Sequence, residues 1–282
     1  DPEKMQVLDS MVIAKGWLGL TFSKDGKYLY ASGGNDNWIM RYQVTNKKLV
    51  PLDTLVIGKP WPEKISIAGI AVDDDQQMLY AVTKENNSLY TFDLKEKKVK
   101  KQFALGGEGS IPVGDNPNDM CQTCNGKYLF VANANDNSVS VISLEQKRVV
   151  EILNSAIYPN SPSGSTTNSV ALSDDEKALY IANADNNCLA VFDVSTPGKS
   201  FSKGFIPTAW YPTCVRVVKN TVFVANGKGL TSKANPYGPS PKKEDVEHHA
   251  DLNKKAAVQY IGGLFRGTLQ AISKYFGSRS IP

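Results

Sequence analysis

The chain has few of the residues on which most enzyme active sites depend. Its 282 residues include only two histidines, His248 and His249, and four cysteines. Histidine is the usual general base near neutral pH and the commonest metal ligand, so this scarcity leaves little room for metal or acid–base chemistry. The two histidines are adjacent in a polar stretch, and we interpret them as a solvated pair. The sequence predicts no catalytic residue, no metal ligand and no cofactor.

Long apolar runs and a strong excess of one charge are also missing. No stretch reaches the roughly 18 apolar residues of a transmembrane helix, so no membrane span is predicted. The 32 Lys and Arg residues stand against 28 Asp and Glu residues, which leaves a net charge of +4. This balance is too small to argue for nucleic acid. With 41% hydrophobic and 21% charged residues, the composition is that of a globular chain that can bury a large core.

Motifs for catalysis and metal binding are absent or weak. The sequence contains no P-loop, no GxSxG elbow and no EF-hand spacing. Cys121 and Cys124 form one CxxC pair, but a zinc site needs a second pair or suitably spaced histidines. Cys188 and Cys214 lie in other repeat units and do not form such a pair. We interpret Cys121 and Cys124 as ordinary cysteines.

The sequence does contain an internal repeat with a period of fifty residues. Four segments align without a gap: YLYASGGNDNWIMRYQV from Tyr28, MLYAVTKENNSLYTFDL from Met78, YLFVANANDNSVSVISL from Tyr128 and ALYIANADNNCLAVFDV from Ala178. TVFVANGKG from Thr221 is a fifth, shorter copy. Three columns stand out, namely Leu29, Leu79, Leu129 and Leu179; Tyr30, Tyr80, Phe130 and Tyr180; and Asn37, Asn87, Asn137 and Asn187.

Each repeat unit has the pattern of four short strands separated by polar turns. Its aromatic and β-branched residues favour strands, and its Asn, Asp and Gly residues favour tight hairpins. Units of 40 to 50 residues with four strands are typical of β-propeller blades. The sequence therefore predicts an all-β propeller in a single domain over residues 1–282. We expect the leucine and aromatic columns to pack between blades, and the asparagine column to make a turn or Asx-type side-chain-to-backbone bond.

The repeat resembles a known family. The FVAN and YIAN strands followed by hairpins such as NDNSVSVI are similar to the YVTN-repeat (YncE-like) β-propellers of bacterial surface and periplasmic proteins. The runs GFIPTAWYPT, VFVANGKGLTSKANPYGPSP and YIGGLFRGTL resemble a narrower group, in which the propeller precedes an alkaline-phosphatase-like phosphoesterase domain. The resemblance implies an extracytoplasmic bacterial protein with seven blades. The present chain contains no counterpart of the phosphoesterase domain or its metal ligands, and it contains no signal peptide.

Only five repeat units are visible where the resemblance implies seven. The start, DPEKMQVLDS, matches the outer strand of a blade whose first three strands are missing. KKQFALG and IPVGDNP read as two successive blade endings, so we expect a blade to be absent between about Gly107 and Ile111. The alternative is a ring of five or six blades, in which residues 1–10 add an outer strand beside GTLQAI.

Function is expected on one end of the propeller. The loops that enter each first strand and the hairpins between the second and third strands open on the same face, and loops on a rigid scaffold commonly carry function. A long insertion at about residues 226–259 lies there too. The candidate binding residues on this face are Trp17, Trp61, Asn116, Asn118, Asp119, Asn168, Trp210 and Tyr211. Packing between blades is the competing explanation for each tryptophan.

Three functions are compatible with this pattern. The first is a non-catalytic binding or docking module whose unknown ligand or adjacent domain sits on the loop-rich face. The second is the propeller part of a phosphoesterase-like hydrolase whose catalytic domain lies outside this chain. The third is nucleic-acid binding through aromatic residues and lysines, which the balanced charge disfavours. We favour the first for this chain.

Overall fold

The structure is a computed structural model that describes residues 7–16, 18–59, 62–63, 65–100, 111–231 and 265–273. Within these ranges the chain forms five successive antiparallel sheets. The prediction of an all-β propeller built from four-stranded blades is confirmed.

The blades follow one another along the sequence. Blade 1 contains β1 (Leu20–Phe22), β2 (Tyr28–Ser32), β3 (Trp38–Thr45) and β4 (Lys48–Val56). Blade 2 contains β5 (Ile67–Asp73), β6 (Met78–Thr83), β7 (Ser88–Asp93), β8 (Lys98–Val99) and β9 (Ile111–Pro112). Blade 3 contains β10 (Pro117–Gln122), β11 (Tyr128–Asn133), β12 (Ser138–Ser143) and β13 (Arg148–Asn154).

The last two blades contain the shorter repeat. Blade 4 contains β14 (Thr167–Leu172), β15 (Ala178–Asn183), β16 (Cys188–Asp193) and β17 (Phe201–Pro207). Blade 5 contains β18 (Trp210–Val218), β19 (Thr221–Gly229) and β20 (Thr268–Ser273). The first strands of successive blades lie side by side, with β5 against β10, β10 against β14, and β14 against β18. They therefore line the axis of the propeller.

The two apolar columns of the repeat form the interfaces between blades. The leucine column faces the preceding blade and the aromatic column faces the following one, so Leu179 packs with Phe130 and Leu129 packs with Tyr80. All eight residues of the two columns are at most 8% exposed. Each interface is a separate apolar cluster, because a four-stranded sheet can bury a face only against its neighbour. The predicted packing between blades is confirmed for seven of the eight residues; Leu29 is buried against Ile13 and residues of its own blade.

The doubled blade ending near residue 107 belongs to a single outer strand of blade 2. Strands β8 and β9 both pair with β7, at its two ends, so they are two parts of one outer strand. The outer strand of blade 2 extends over 14 positions, from Lys98 to Pro112, whereas that of blade 3 extends over six, from Arg148 to Asn154. The loop that follows is shorter in blade 2, with five positions from Pro112 to Pro117 against 13 from Asn154 to Thr167. An insertion in the outer strand and a shorter connecting loop cancel, which preserves the fifty-residue period. Residues 101–110 lie outside the described part, and the absence of a blade between about Gly107 and Ile111 stays a prediction.

Two expectations about the ends of the repeat also change. Residues 7–10 contain no strand, and the Asp9 carboxylate accepts a hydrogen bond from the backbone N–H of Leu49 in blade 1 (2.9 Å). They do not extend the sheet of β20 as the alternative ring required, and residues 1–6 are not described. The insertion begins later than expected, because Asn226 to Gly229 belong to β19. Residues 230–267 join β19 to β20, and 232–264 of them lie outside the described ranges.

The asparagine column fastens each connecting loop to the blade before it. In blade 3 the Asn137 side chain donates to the carbonyl of Pro162 (2.8 Å) and accepts from the backbone N–H of Gly164 (3.0 Å) and Ser165 (2.6 Å). The other three asparagines accept backbone N–H hydrogen bonds in the same way. Asn37 accepts from Ile65 and Ser66, Asn87 accepts from Asn116, and Asn187 accepts from Tyr211. The predicted side-chain-to-backbone bond is confirmed, but it reaches the loop that enters the next blade and is not a local Asx turn.

Candidate binding face

The predicted binding residues that the structure describes lie toward one end of the propeller, but they do not form one site. Trp17 and Trp61 fall outside the described residues. Asn116 has a structural role, since its backbone N–H donates to the Asn87 side chain (3.0 Å) and its carbonyl accepts from the N–H of Ala134 (3.1 Å). The remaining five separate into two groups, one at the axis and one on blade 5.

The axial group links three successive blades. Asn118 in β10 donates from Nδ2 to Oδ1 of Asn168 in β14 (2.7 Å). Next to them, Asp119 Oδ2 accepts from the Ser169 hydroxyl (2.5 Å) and from Nη1 of Arg216 in β18 (3.1 Å). We call Asn118, Asp119, Asn168, Ser169 and Arg216 the axial cluster. Each of its members comes from the first strand of a blade, which is why the fold brings them together.

The electrostatics of the axial cluster centre on the Asp119–Arg216 ion pair. The Asp119 charge raises the pKa of the Arg216 guanidinium, against an opposing effect of burial. The Asp119 side chain is 13% exposed and that of Arg216 is 49% exposed, so water screens the pair on the arginine side. Asn118 is buried, and its Oδ1 has no hydrogen-bond donor among the described residues. The cluster thus combines a buried acceptor that has no donor among the described residues with a partly exposed cation.

Two cavities meet at the ion pair. A cavity of about 690 Å³ on the loop-rich side is lined by polar residues such as Asn168 and Thr213 and by apolar residues such as Leu18. A cavity of about 420 Å³ on the other side includes Gln122. Both are lined by Leu20, Asp119 and Arg216. The ion pair therefore stands between them.

The second group is an exposed aromatic surface on blade 5. Trp210 is 40% exposed and pairs with Gly229 across the sheet. The Lys228 ammonium lies 3.9 Å from the centre of the Tyr211 ring and 6.0 Å from that of Phe265, which is 41% exposed. We call Trp210, Tyr211, Lys228 and Phe265 the aromatic patch. It combines flat apolar surface with a cation held over a ring.

The backbone of Tyr211 in the aromatic patch is supported by a hydrogen bond to the preceding blade. It adopts a left-handed backbone conformation with φ at 61°, which side chains rarely take without support. Its backbone N–H donates to Oδ1 of Asn187 (2.8 Å). Burial raises the pKa of its phenol, so the ring presents a neutral face to Lys228 at physiological pH.

At the opposite end of the propeller, the charged turns form hydrogen bonds between neighbouring blades and are not only solvated surface. The Asp74 carboxylate accepts a hydrogen bond from the backbone N–H of Lys24 (2.5 Å), and Glu176 accepts one from the N–H of Cys124 (2.5 Å). Gln122, a polar residue in an otherwise apolar column, donates to Asp73 in the neighbouring blade (2.9 Å). These turns connect adjacent blades, so their charges are used for structure.

The cysteines and acidic residues give no metal centre in the part of the chain that is described. No group of three or more His, Cys, Asp and Glu side chains converges there. The four cysteines are free thiols. Burial raises the pKa of Cys121, and a hydrogen bond with Glu176 raises that of Cys124, so both stay protonated at neutral pH. No helix among the described residues has the length and apolarity needed to cross a bilayer.

Comparison with known families explains the repeat. Residues 19–163, just over half of the chain, match the family model "Lactonase, 7-bladed beta-propeller". The chain belongs to this family. Its described residues contain five blades where the family has seven.

Among curated proteins, the lactonase-family chain is similar to Antigen Lp49 of Leptospira interrogans serogroup Icterohaemorrhagiae serovar copenhageni (strain Fiocruz L1-130). The two are 35% identical over 123 residues, which is 40% of this chain and 23% of that protein. The match thus covers less than a quarter of the relative's length.

Among solved structures, the chain is similar to Kuenenia stuttgartiensis hydrazine synthase, with a TM-score of 0.58 and 19% identity over 82% of this chain and 62% of that one. It is also similar to a putative 6-phosphogluconolactonase from Bacteroides fragilis NCTC 9343, with a TM-score of 0.54 and 16% identity over 74% of this chain and 76% of that one. At these identities the likeness shows the propeller fold alone.

Sequence reasoning missed four residues of the axial cluster and the aromatic patch of this lactonase-family propeller, namely Ser169, Arg216, Lys228 and Phe265. Arg216 lies in a column that otherwise holds the small residues Thr21, Ala71, Cys121 and Ala171, and this outlier was visible in the alignment of the repeats. Lys228 carried no such signal. It lies in the shorter fifth copy, where the strand runs on beyond the length of its counterparts.

Proposed function

We propose that this chain is a non-catalytic binding module that holds a ligand or partner domain at its loop-rich end, as part of an extracytoplasmic bacterial protein. The observation that carries the proposal is the aromatic patch on blade 5. Trp210 and Phe265 are both about two-fifths exposed beside the Lys228–Tyr211 contact. The turns at the opposite end are instead hydrogen-bonded to neighbouring blades.

The chemistry of the aromatic patch suits recognition. Trp and Tyr provide large contact areas with few rotatable bonds, and they are enriched among the residues that dominate binding energy. A cation over an aromatic face is favourable where water is partly excluded. The partner we propose therefore carries apolar or aromatic groups next to a negative charge or hydrogen-bond acceptor that Lys228 can reach.

A small molecule could use the adjoining axial cavity. Its volume of about 690 Å³ suits a ligand of modest size, and its lining mixes apolar side chains with the polar groups of the axial cluster. The Arg216 guanidinium, which lines this cavity and is partly exposed, would donate a hydrogen bond to a ligand carboxylate or carbonyl. In this proposal the cavity and the aromatic patch are two parts of one binding end.

The test is a thermal-shift screen of the 282-residue chain against lactones, hydroxy acids, sugars and acidic peptides, followed by calorimetric titration of the compounds that stabilise it. Trp210→Ala should weaken binding by about 2 kcal/mol, roughly thirtyfold, and leave the melting temperature nearly unchanged. Phe201→Ala removes an aromatic side chain that is 59% exposed on an outer strand, and it should change neither the affinity nor the melting temperature. If Trp210→Ala lowers the melting temperature and leaves affinity unchanged, the tryptophan only packs and the binding face is wrong.

A second candidate function is the opening of a lactone. The observations that favour it are the family and the position of the Asp119 carboxylate beside Arg216 at the axial cavity. The measurement is acid release from glucono-δ-lactone and 6-phosphogluconolactone in a pH-stat. Turnover above the spontaneous rate, lost in Asp119→Asn, would replace the non-catalytic proposal. Hydrolysis at the spontaneous rate would support the non-catalytic proposal.

The phosphoesterase association is proposed on the resemblance of the NGKG, NPYGP and YIGGL run. The complete reading frame tests it, because a phosphoesterase-like domain in the same frame would make this chain the docking part of a hydrolase. Nucleic-acid binding is the weakest proposal, since the net charge is only +4. A gel-shift assay at low salt with single-stranded DNA would detect it.

A further inference from the structure

One edge of the Arg216 guanidinium is open to the axial cavity. Its Nη1 donates to Asp119 Oδ2 (3.1 Å), to the Ser169 hydroxyl (3.2 Å) and to the Val215 carbonyl (2.7 Å). Nε and Nη2 lie on the other edge of the planar fork, and they have no acceptor among the residues that the structure describes. The side chain lines the cavity and is 49% exposed. Hydrogen bonds on one edge therefore hold the guanidinium in place, and the second edge can reach a ligand.

Arg41 shows what such an edge binds in this protein. Its Nε donates to Asp53 Oδ1 (2.8 Å) and its Nη2 donates to Asp53 Oδ2 (2.7 Å). This two-point contact between an arginine and a carboxylate is planar, and it is stronger than hydrogen bonds between neutral groups. Arg216 presents the same pair of nitrogens to the cavity. A carboxylate is therefore the group whose shape and charge best fit the open edge.

Packing between blades does not explain an arginine at this position. The other four blades have small residues in this column of the repeat, namely Thr21, Ala71, Cys121 and Ala171. An arginine placed there brings five N–H donors to the axis, and each donor that stays without an acceptor costs free energy. Arg216 thus departs from the repeat in a way that a bound anion would explain.

Another part of the axial cavity wall is apolar. Blade 1 and the segment before it contribute Ile13, Leu18, Leu20 and Phe22. Leu20 is 58% exposed and Phe22 is 56% exposed, so a ligand with apolar groups would remove their surface from water. The cavity volume of about 690 Å³ is within the range of small-molecule sites. The lining therefore suits a ligand that joins a carboxylate to an apolar body.

Asp119 limits the charge that the site accepts. Its Oδ2 lies 3.1 Å from Arg216 Nη1, so the ion pair has no net charge. A ligand with one negative charge can place it on the open edge of the guanidinium. A phosphate ester or a dicarboxylate would bring a second negative charge close to Asp119, and like charges in contact are unfavourable. The site should therefore prefer a singly charged acid.

We propose that the axial cavity binds a monocarboxylic acid with an apolar body, held by Nε and Nη2 of Arg216 and selected against doubly charged anions by Asp119. This inference rests on the proposed function, because it names the class of ligand for the axial cavity. Asp119 and Ser169 act as positioning residues, since they hold Nη1 and leave the ligand-binding edge free.

The test is calorimetric titration of the 282-residue chain with three probes that share one apolar body. They are 1-naphthylacetate, its neutral amide, and 1-naphthylmalonate, which carries a second carboxylate. 1-Naphthylacetate should bind about tenfold more tightly than the other two, because the amide lacks the charge and the malonate is repelled by Asp119. Octanoate has an aliphatic body and the same charge, and it should bind through Arg216 as well.

Variants separate a binding role of Arg216 from a structural one. Arg216→Ala should weaken 1-naphthylacetate by about tenfold or more, whereas Arg148→Ala, at an exposed position of an outer strand, should leave the affinity unchanged. Arg216→Lys keeps a cation beside Asp119 but loses the planar fork, so it should fold and still bind severalfold more weakly. Asp119→Asn should narrow the preference for 1-naphthylacetate over 1-naphthylmalonate, which a purely structural ion pair would not do.

Three results would overturn the inference. The first is no saturable binding of either 1-naphthylacetate or octanoate at millimolar concentration. The second is equal affinity for the acid and its amide, and the third is wild-type affinity in folded Arg216→Lys.

The proposed function fails by a different result. Trp210 belongs to the aromatic patch and not to the lining of the axial cavity. A ligand that is lost in Trp210→Ala but unaffected by Arg216→Lys would overturn this inference alone. Binding of 1-naphthylacetate through Arg216, together with an aromatic patch that only packs, would leave the inference standing and contradict the patch.

Discussion

The side-chain oxygen of Asn137 accepts a hydrogen bond from the backbone N–H of Ser165, 2.6 Å away and 28 residues later in the chain. Asn137 is 4% exposed and ends the hairpin of blade 3, whereas Ser165 lies in the loop that enters blade 4. The bond therefore passes between two blades. Because the equivalent bond recurs in blades 1, 2 and 4, it is part of the repeat and fixes the angle at which one blade follows another.

Asn137→Ala should destabilise the protein by about 2–3 kcal/mol. The substitution removes the acceptor of two loop N–H groups and the donor to the Pro162 carbonyl, and buried groups without partners cost about 1–3 kcal/mol. Asn137 also has φ at 50°, where alanine adds backbone strain. Chemical denaturation would measure the loss.

Asn137→Gly separates the two causes, since glycine accepts the left-handed conformation but provides no side chain. It should retain most of the destabilisation if the hydrogen bonds are responsible. Asn135→Ala, at an exposed position two residues earlier, should have little effect. Full recovery of stability in Asn137→Gly would show that backbone strain alone explains the alanine variant.

Leu129→Ala should cost about 2–5 kcal/mol, because Leu129 is fully buried in the interface between blades 2 and 3 and the substitution leaves a cavity. Leu52→Ala makes the same chemical change at a position 48% exposed and should cost well under 1 kcal/mol. Denaturant midpoints of the two variants provide the comparison. Equal losses would contradict the assignment of the leucine column to the blade interfaces.

The sequence predicts those features that recur with the repeat. Leucine and aromatic columns fifty residues apart predict both the blades and their interfaces, since burial repeats with the period. The partners of Asn137 and Arg216 could not be predicted in this way, because each bond joins segments whose spacing depends on loop conformation. The ungapped period even hid the insertion in blade 2, where a longer strand and a shorter loop cancel.

The candidate site was predicted only in part. Asn118, Asp119 and Asn168 were expected in the loops that enter the first strands, whereas they lie in the first strands themselves, β10 and β14, near the axis. Their functional role stays a prediction. Asn116 looked like a ligand-binding residue, but its backbone is engaged by Asn87 and Ala134. A polar residue type alone does not distinguish binding from loop support.

Gln122→Leu should destabilise the protein by about 1 kcal/mol, although Val72 and Leu172 are the apolar counterparts of Gln122. Its amide donates to the Asp73 carboxylate, which is 8% exposed and is also bound by Gln76. Leucine would remove one of these charge-assisted bonds. In an Asp73→Asn background the penalty should shrink, and a double-mutant cycle of denaturation curves measures this. A stabilising Gln122→Leu would show that the apolar column outweighs the bond.

Alkaline unfolding should depend on Tyr80. Burial, helped by the nearby charge of Asp73, raises the pKa of Tyr80 to about 12 from an ordinary value of about 10. Below pH 10 the phenol is protonated in both folded and unfolded chains, so its contribution to stability is complete. As the pH rises from 10 through 12 the unfolded chain ionises first, and about 2–3 kcal/mol of stability is lost.

Tyr80→Phe should remove that loss and keep the fold, because blade 3 already has phenylalanine, Phe130, at the same position. Other buried tyrosines also titrate, so the quantity to measure is the difference in free energy of unfolding between wild type and Tyr80→Phe at several pH values. The difference should be constant up to pH 10, and above pH 10 the variant should become more stable relative to wild type. Tyr158→Phe, at a tyrosine 58% exposed, should show no such change. A difference that stays flat to pH 12 would mean that water reaches the Tyr80 hydroxyl and that the blade 2–3 interface is looser there than its packing indicates.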